Sequence, residues 1–331
     1  MLRQLRSHSL PLQILLPLLA FLPYMVFILS GSLPETYTHN AQGWIYTNWK
    51  EGIEARPWVY MTLGWALNLL TAYILNWINI RFEVTGRRTV FISFFYSLLI
   101  FTPLGYHLFH PAMFGGLFIL ISLIFIFLIY HSKQTQAYIF NAGFFWGLAS
   151  IIYPPFIIFL PLYILSARYV KSTRPKDFLL LFAGLLTPVW IWLSIIWLRG
   201  DIKFQLLSIG QWAEFRKTWP PELAGDHLLW YLFFAYIFII LILNFRLYRV
   251  KKDVGRRVLI IFGQLLWISP LIYFLFERVS VELLWITFIP AAFLFSLADE
   301  NSRTKWKTEL AFIGFILFMI AFQLNIILPD G

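Results

Sequence analysis

Long apolar runs fill most of the chain, and short polar intervals separate them. Runs of about 17 to 23 residues, the length a helix needs to cross a hydrocarbon layer of ~30 Å, lie near 11–30, 57–80, 89–107, 112–130, 177–198, 227–245, 258–276, 279–297 and 310–328. Between the fourth and fifth runs lies 137–167, "AYIFNAGFFWGLASIIYPPFIIFLPLYILSA", apolar throughout but broken by Tyr153-Pro154-Pro155. Pro155 has no N–H, and a residue that precedes proline is pushed out of the helical region. The pattern therefore predicts a hairpin of two short helices meeting at the prolines. Irregular backbone at membrane depth is tolerated only where protein or a wet cavity surrounds it. The turn is thus expected either to pack within a tight helix pair or to line a cavity, with Tyr153 on its wall. Gly143 and Gly147 form a G-x-x-x-G step, which permits close helix contact.

Charge decides between one crossing and two at 137–167. With the N-terminus in the cytoplasm and two crossings there, 19 of the 26 Lys and Arg fall in cytoplasmic loops. With one crossing, every later loop would flip. The cluster Arg246, Arg249, Lys251, Lys252, Arg256 and Arg257 would then face outside, against the positive-inside rule. The expected fold is an all-α polytopic integral membrane protein of about eleven segments. It forms a single transmembrane domain over 1–331, in a bacterial inner membrane, with the C-terminus periplasmic. Residues 1–30 start like a signal peptide, but the apolar run is long and no small-residue cleavage site follows. It reads as a retained first helix.

Two outer intervals are long. In 31–57, Ile45, Trp49 and Ile53 recur at helical spacing, and in 199–227 so do Ile202, Leu206, Ile209 and Ala213. Both stretches read as amphipathic helices lying on the membrane surface, near 42–55 and 201–215.

Composition supports the membrane reading. Sixty per cent of the 331 residues are apolar, 13% are charged, and the mean hydropathy is +0.73. A soluble domain of this length has too little interior for that. The net charge of +10 lies in short loops between apolar runs, which excludes a nucleic-acid footprint. There is no cysteine, so disulfides, thiolate metal sites and a cysteine nucleophile are excluded.

Candidate chemistry lies mainly at the outer surface. Glu35, Glu51 and Glu54 are carboxylates suited to accept a hydroxyl proton. Arg216 and Lys217 can hold a lipid phosphate through charge-assisted hydrogen bonds. Each also reads as a solvated charge beside interfacial aromatics. His107 and His110, three apart, have the spacing of a metal pair but no third ligand near in sequence; they read more simply as interfacial or cavity-lining side chains. Glu277-Arg278 reads as a local ion pair in a tight turn, and Glu282 as lying near the surface at the start of a span. No ionisable residue falls clearly in mid-membrane, which argues against an ion-coupled transporter. No P-loop, H-E-x-x-H or G-x-S-x-G occurs. The sequence leaves any cofactor undefined.

Two resemblances follow from these motifs. Residues 75–190, with Phe140-Asn141-Ala142 ahead of Ala149-Ser150-Ile151-Ile152-Tyr153, resemble an uncharacterised family of multi-pass inner-membrane proteins of Bacteroidota. Members of that family tend to carry Asp where this chain has Asn141. More distantly, Glu35-x-Tyr37, Ala41, Gly52 and Arg56-Pro57 after a first span resemble the first loop of the GT-C class of glycosyltransferases. Pro34 stands where that class usually has a second acid. The GT-C resemblance implies transfer of sugar from a polyprenyl-phosphate carrier at the outer face, with Glu35 as the catalytic acid position. Alternatives are a non-catalytic subunit of an envelope complex and a lipid-type transporter or flippase, the latter suggested by the broken hairpin.

Overall fold

The computed structural model describes residues 57–85, 91–101, 109–132, 135–170, 174–200, 214–215, 232–233, 235–239, 253–277, 279–301, 313–314 and 317. Among these residues the fold is helical and contains no strand, only an isolated bridge between Phe215 and Phe276. The helices are α1 (Pro57–Phe82), α2 (Phe91–Phe101), α3 (Pro111–Leu128), α4 (Thr135–Ile152), α5 (Leu160–Val170), α6 (Pro175–Arg199), α7 (Asp253–Leu275) and α8 (Phe288–Asn301). Two 3-10 segments matter below: Pro154–Phe159 leads into α5, and Val281–Thr287 leads into α8.

Local sequence sets the ends. Pro111 and Pro175 sit at the first helical positions of α3 and α6, where a missing N–H costs nothing. Asp177 accepts the backbone N–H of Arg174 at 2.9 Å and closes the first turn of α6. Gly200, at φ 84°, takes the left-handed conformation that ends α6. Tyr153 is extended, at φ −136° and ψ 96°, and ends α4 directly before Pro154.

Pairwise packing gives the direction of each helix. Ser122 Oγ donates to Ala142 O at 2.5 Å, Phe125 lies against Tyr138, and Gly115 lies against Ala149. Residue numbers rise on one helix as they fall on the other, so α3 and α4 are antiparallel. Ser93 Oγ donates to Ala72 O at 2.9 Å and Tyr96 reaches Asn68, which makes α1 and α2 antiparallel too. Between α4 and α6 the pattern differs. Gly143 abuts Leu181 and Leu185, Gly147 abuts Leu185 and Pro188, and Gly184 abuts Phe140 and Phe144. Numbers rise together, so α4 and α6 are parallel. The chain between two parallel neighbours must return across the bundle, and α5 is that return limb.

The hairpin expected at 137–167 is therefore present. Its G-x-x-x-G step, however, packs on α6 rather than on the return limb. At each of the three glycines a Cβ would collide with a backbone carbonyl of the facing helix, and that backbone approach is what small residues permit. Pro154, Pro155 and Phe156 are buried in protein, which shelters their irregular backbone.

The two ends of the bundle follow. Arg257, in the first turns of α7, donates to Tyr169 O at the end of α5 and lies over the Tyr130 ring just past α3. Gly255 abuts Glu83 and Val84 just past α1. These form one end. The proline turn, the start of α3 and the turn after α7 form the other.

By length and hydropathy four described helices suffice to cross a membrane: Met61–Phe82, Pro111–Leu128, Pro175–Arg199 and Val254–Leu275; Phe91–Ile100, Pro154–Ser166 and Glu282–Leu297 are apolar but shorter. The count of eleven is not reached among the described residues. The expected spans at 11–30, most of 227–245 and most of 310–328 lie outside them, as does the surface helix near 42–55. The surface helix expected near 201–215 does not extend to its end: Phe215 is extended, bridged to Phe276, and its ring stacks on that of Phe276 at 5.0 Å. Stacking and backbone pairing with the turn after α7 outweigh helical continuation there.

Candidate functional site

Among the described residues a connected polar constellation lies at the proline-turn end. Trp146, on α4, donates its indole N–H to Phe156 O at 2.7 Å, and Tyr153 N–H closes on Ala149 O at 2.8 Å. Gly115 on α3 leaves room for the Phe156 ring, whose Cε2 would stand 2.8 Å from a Cβ. The turn is thereby fixed from three sides, and Tyr153 is fully buried.

The Tyr153 hydroxyl meets Ser280 Oγ at 3.1 Å, and Ser280 Oγ donates to Glu282 Oε2 at 3.4 Å. A carboxylate can only accept, and a serine has one proton. Ser280 therefore gives its proton to Glu282, and Tyr153 gives its own to Ser280. The result is a directed relay, Tyr153 to Ser280 to Glu282, that ends on a half-buried carboxylate.

Trp285, one 3-10 turn beyond Glu282, enters the bundle. Its indole N–H and the Tyr96 hydroxyl both donate to Asn68 Oδ1, each at 3.2 Å. Gly116 makes room for the ring, because a Cβ there would lie 2.5 Å from Trp285 Cζ3. His110 meets the same indole edge-on, with centroids 6.1 Å apart. Its Nδ1 accepts Met113 N–H at 2.9 Å, which makes His110 the N-cap of α3. In the neutral ring the proton then sits on Nε2. The segment 280–285 thus bears both the relay and the buried indole.

Among the sequence candidates, Tyr153 belongs to this site, as a buried donor. His110 lies beside it as a helix cap, only 2% exposed. Glu35, Glu51, Glu54, His107, Arg216 and Lys217 lie outside the described residues. Among the described residues no group of three or more His, Cys, Asp or Glu gathers around a metal position. Sequence reading placed Glu282 near the surface but missed Ser280, Trp285, Asn68, Tyr96 and Trp146. Each is a lone polar group in an apolar run, with no spacing to mark it.

Residues 45–328 match a family of unknown function (DUF6427). The chain belongs to this family. Neither a curated protein nor a solved structure matches the chain. The DUF6427 match takes in every helix described above, together with the relay. Glu51, Glu54, Arg216 and Lys217 fall inside the matched stretch, and Glu35 falls before it.

Proposed function

We propose that this chain is an integral protein of a bacterial inner membrane, crossing it about eleven times with the basic loops in the cytoplasm, and that it handles a lipid-linked sugar at the outer face. The observation that carries the reading is the relay from Tyr153 through Ser280 to Glu282. It delivers a half-buried carboxylate to the end of the bundle that the loop charges assign to the outside. Phe215, in the second long loop, pairs its backbone with Phe276 at that same end. That loop carries Arg216 and Lys217.

In this reading a polyprenyl-phosphate sugar is the donor, as the GT-C resemblance implies. A carboxylate takes the proton of an acceptor hydroxyl, whose oxygen bonds to the anomeric carbon. The bond from that carbon to the carrier phosphate breaks, and the phosphate leaves with the electron pair, held by cations. Glu282 joins Glu35, Glu51 and Glu54 as an acid for this role, and Arg216 and Lys217 hold the phosphate. The test is the profile of lipid-linked sugars in cells lacking the gene, complemented with wild type, Glu35→Gln or Glu282→Gln. A lipid-linked sugar that accumulates in the deletion, is cleared by wild type and persists with Glu282→Gln supports the reading. Persistence with Glu35→Gln alone moves the base to the first loop.

A second reading is favoured by a different observation. Ser93, Ser122, Tyr96 and the Trp285 indole each spend a donor on a neighbouring helix, as in a protein whose task is to hold a shape. A non-catalytic subunit of an envelope complex fits that. It predicts an unchanged sugar profile in the deletion and a partner that co-purifies at fixed stoichiometry.

A further inference from the structure

One face of α6 is exposed along its whole length. Lys176, Leu179, Ala183, Leu186 and Trp190 succeed one another at steps of three and four, and all are exposed. That spacing is a single helical stripe. Its start is cationic and the remainder apolar. Arg174 is exposed just before the first turn, and exposed Arg168 stands at the end of α5 across the short connection. The nearby acid, Asp177, is buried and bonded to the Arg174 backbone N–H, so its carboxylate is turned into the helix start and away from the stripe. Tyr169, at the same end of the bundle, is exposed, as amphipathic rings are at a membrane interface.

The dimensions suit one kind of occupant. From Lys176 to Leu186 the stripe rises about 15 Å, which is the hydrocarbon depth of one leaflet. A cationic head above an apolar track of that length is complementary to a phospholipid with a net negative headgroup. A zwitterionic lipid matches the track but not the charge. A second copy of the chain would set Lys176 and Arg174 against their own counterparts, or else leave them over apolar surface.

We infer that the α6 stripe seats an anionic phospholipid, its phosphate held by Lys176 and Arg174 and its acyl chains lying along Leu179, Ala183 and Leu186. This rests on α6 being a membrane span, and it is independent of the sugar chemistry at the opposite end.

The test uses the full chain, purified in mild detergent, with lipid retention read by native mass spectrometry. The probes are phosphatidylglycerol and phosphatidylcholine of identical acyl composition. Phosphatidylglycerol should be retained in clear excess. Lys176→Gln and Arg174→Gln should each lower its retention about fivefold, the effect of one interfacial cation, while phosphatidylcholine retention stays unchanged. Lys176→Arg keeps the charge and should retain the lipid, which separates lost binding from lost fold. Arg199→Gln, at the far end of α6, should change nothing. Equal retention of both lipids, or an equal effect of Arg199→Gln, overturns the proposal. So does cross-linking of two chains through a single cysteine placed at Leu186, because a second copy then covers the stripe. Release of the wild-type chain from membranes by alkaline carbonate would overturn the membrane reading itself, a failure distinct from loss of lipid selectivity.

Discussion

Two side chains near the proline turn make bonds of different worth. Trp146 donates to the Phe156 backbone carbonyl inside the buried turn, whereas Tyr153 donates to a serine that already serves Glu282. Trp146→Phe removes that bond together with the larger indole, which stacks on Tyr163 with centroids 4.5 Å apart, whereas Tyr153→Phe removes one hydrogen bond, whose net value is about 0.5–1.5 kcal/mol. Trp146→Phe should therefore lower thermal stability in detergent more than Tyr153→Phe, measured side by side. The relay adds a functional contrast. Tyr153→Phe should leave the fold near wild type but weaken any activity that depends on Glu282, because Ser280 loses the donor that orients it. These residues were poorly legible in the sequence. Tyr153 stood out because two prolines follow it. Ser280 and Trp146 did not, because an isolated serine or tryptophan in an apolar run reads as ordinary membrane composition until the fold supplies its partner.

At the scale of the helices, three glycines decide one contact. Gly143, Gly147 and Gly184 let the α4 and α6 backbones touch, whereas Gly263 on α7 has nothing within 4 Å of where its Cβ would be. Gly147→Leu should pry α4 from α6 and cost about 1–3 kcal/mol through overpacking. Gly263→Ala should be neutral or gain about 0.5–1 kcal/mol from lost chain entropy. Thermal unfolding of the two variants in one detergent checks both, and equal effects would contradict the packing described here. The hairpin itself was legible, because proline chemistry and loop charge agree on it. The partner of its glycine step was not. A G-x-x-x-G pattern says that some helix comes close but carries nothing that names which one, and α6 begins some thirty residues later.

For the molecule as a whole, alternation of helix direction is the central claim. The chain has no cysteine, so single cysteines report sidedness without background. Cysteines replacing Arg168 and Lys176 should react with a membrane-impermeant reagent from one face only, and cysteines replacing Gly200 and Glu277 only from the other. Labelling of Arg168 and Glu277 positions from the same face would refute the return limb. Loop charge made this alternation readable from sequence, since its energetics depend only on which side the cations lie. It gave no depth for the bundle's interior, where direction is set by side chains such as Ser122 and Asn68.

The parallel pairing of α4 and α6 also constrains the order of events at the ribosome. Gly143 and Gly184 are 41 residues apart, and at 5–20 residues per second the second emerges roughly 2–8 s after the first. During that interval the α4 face that bears its glycines lacks its α6 partner. Its short return limb must already be inserted before α6 arrives to cover them. If the chain inserts helix by helix, α4 and α5 are made before the partner that their glycine face requires, and the α4–α6 contact forms last of the three.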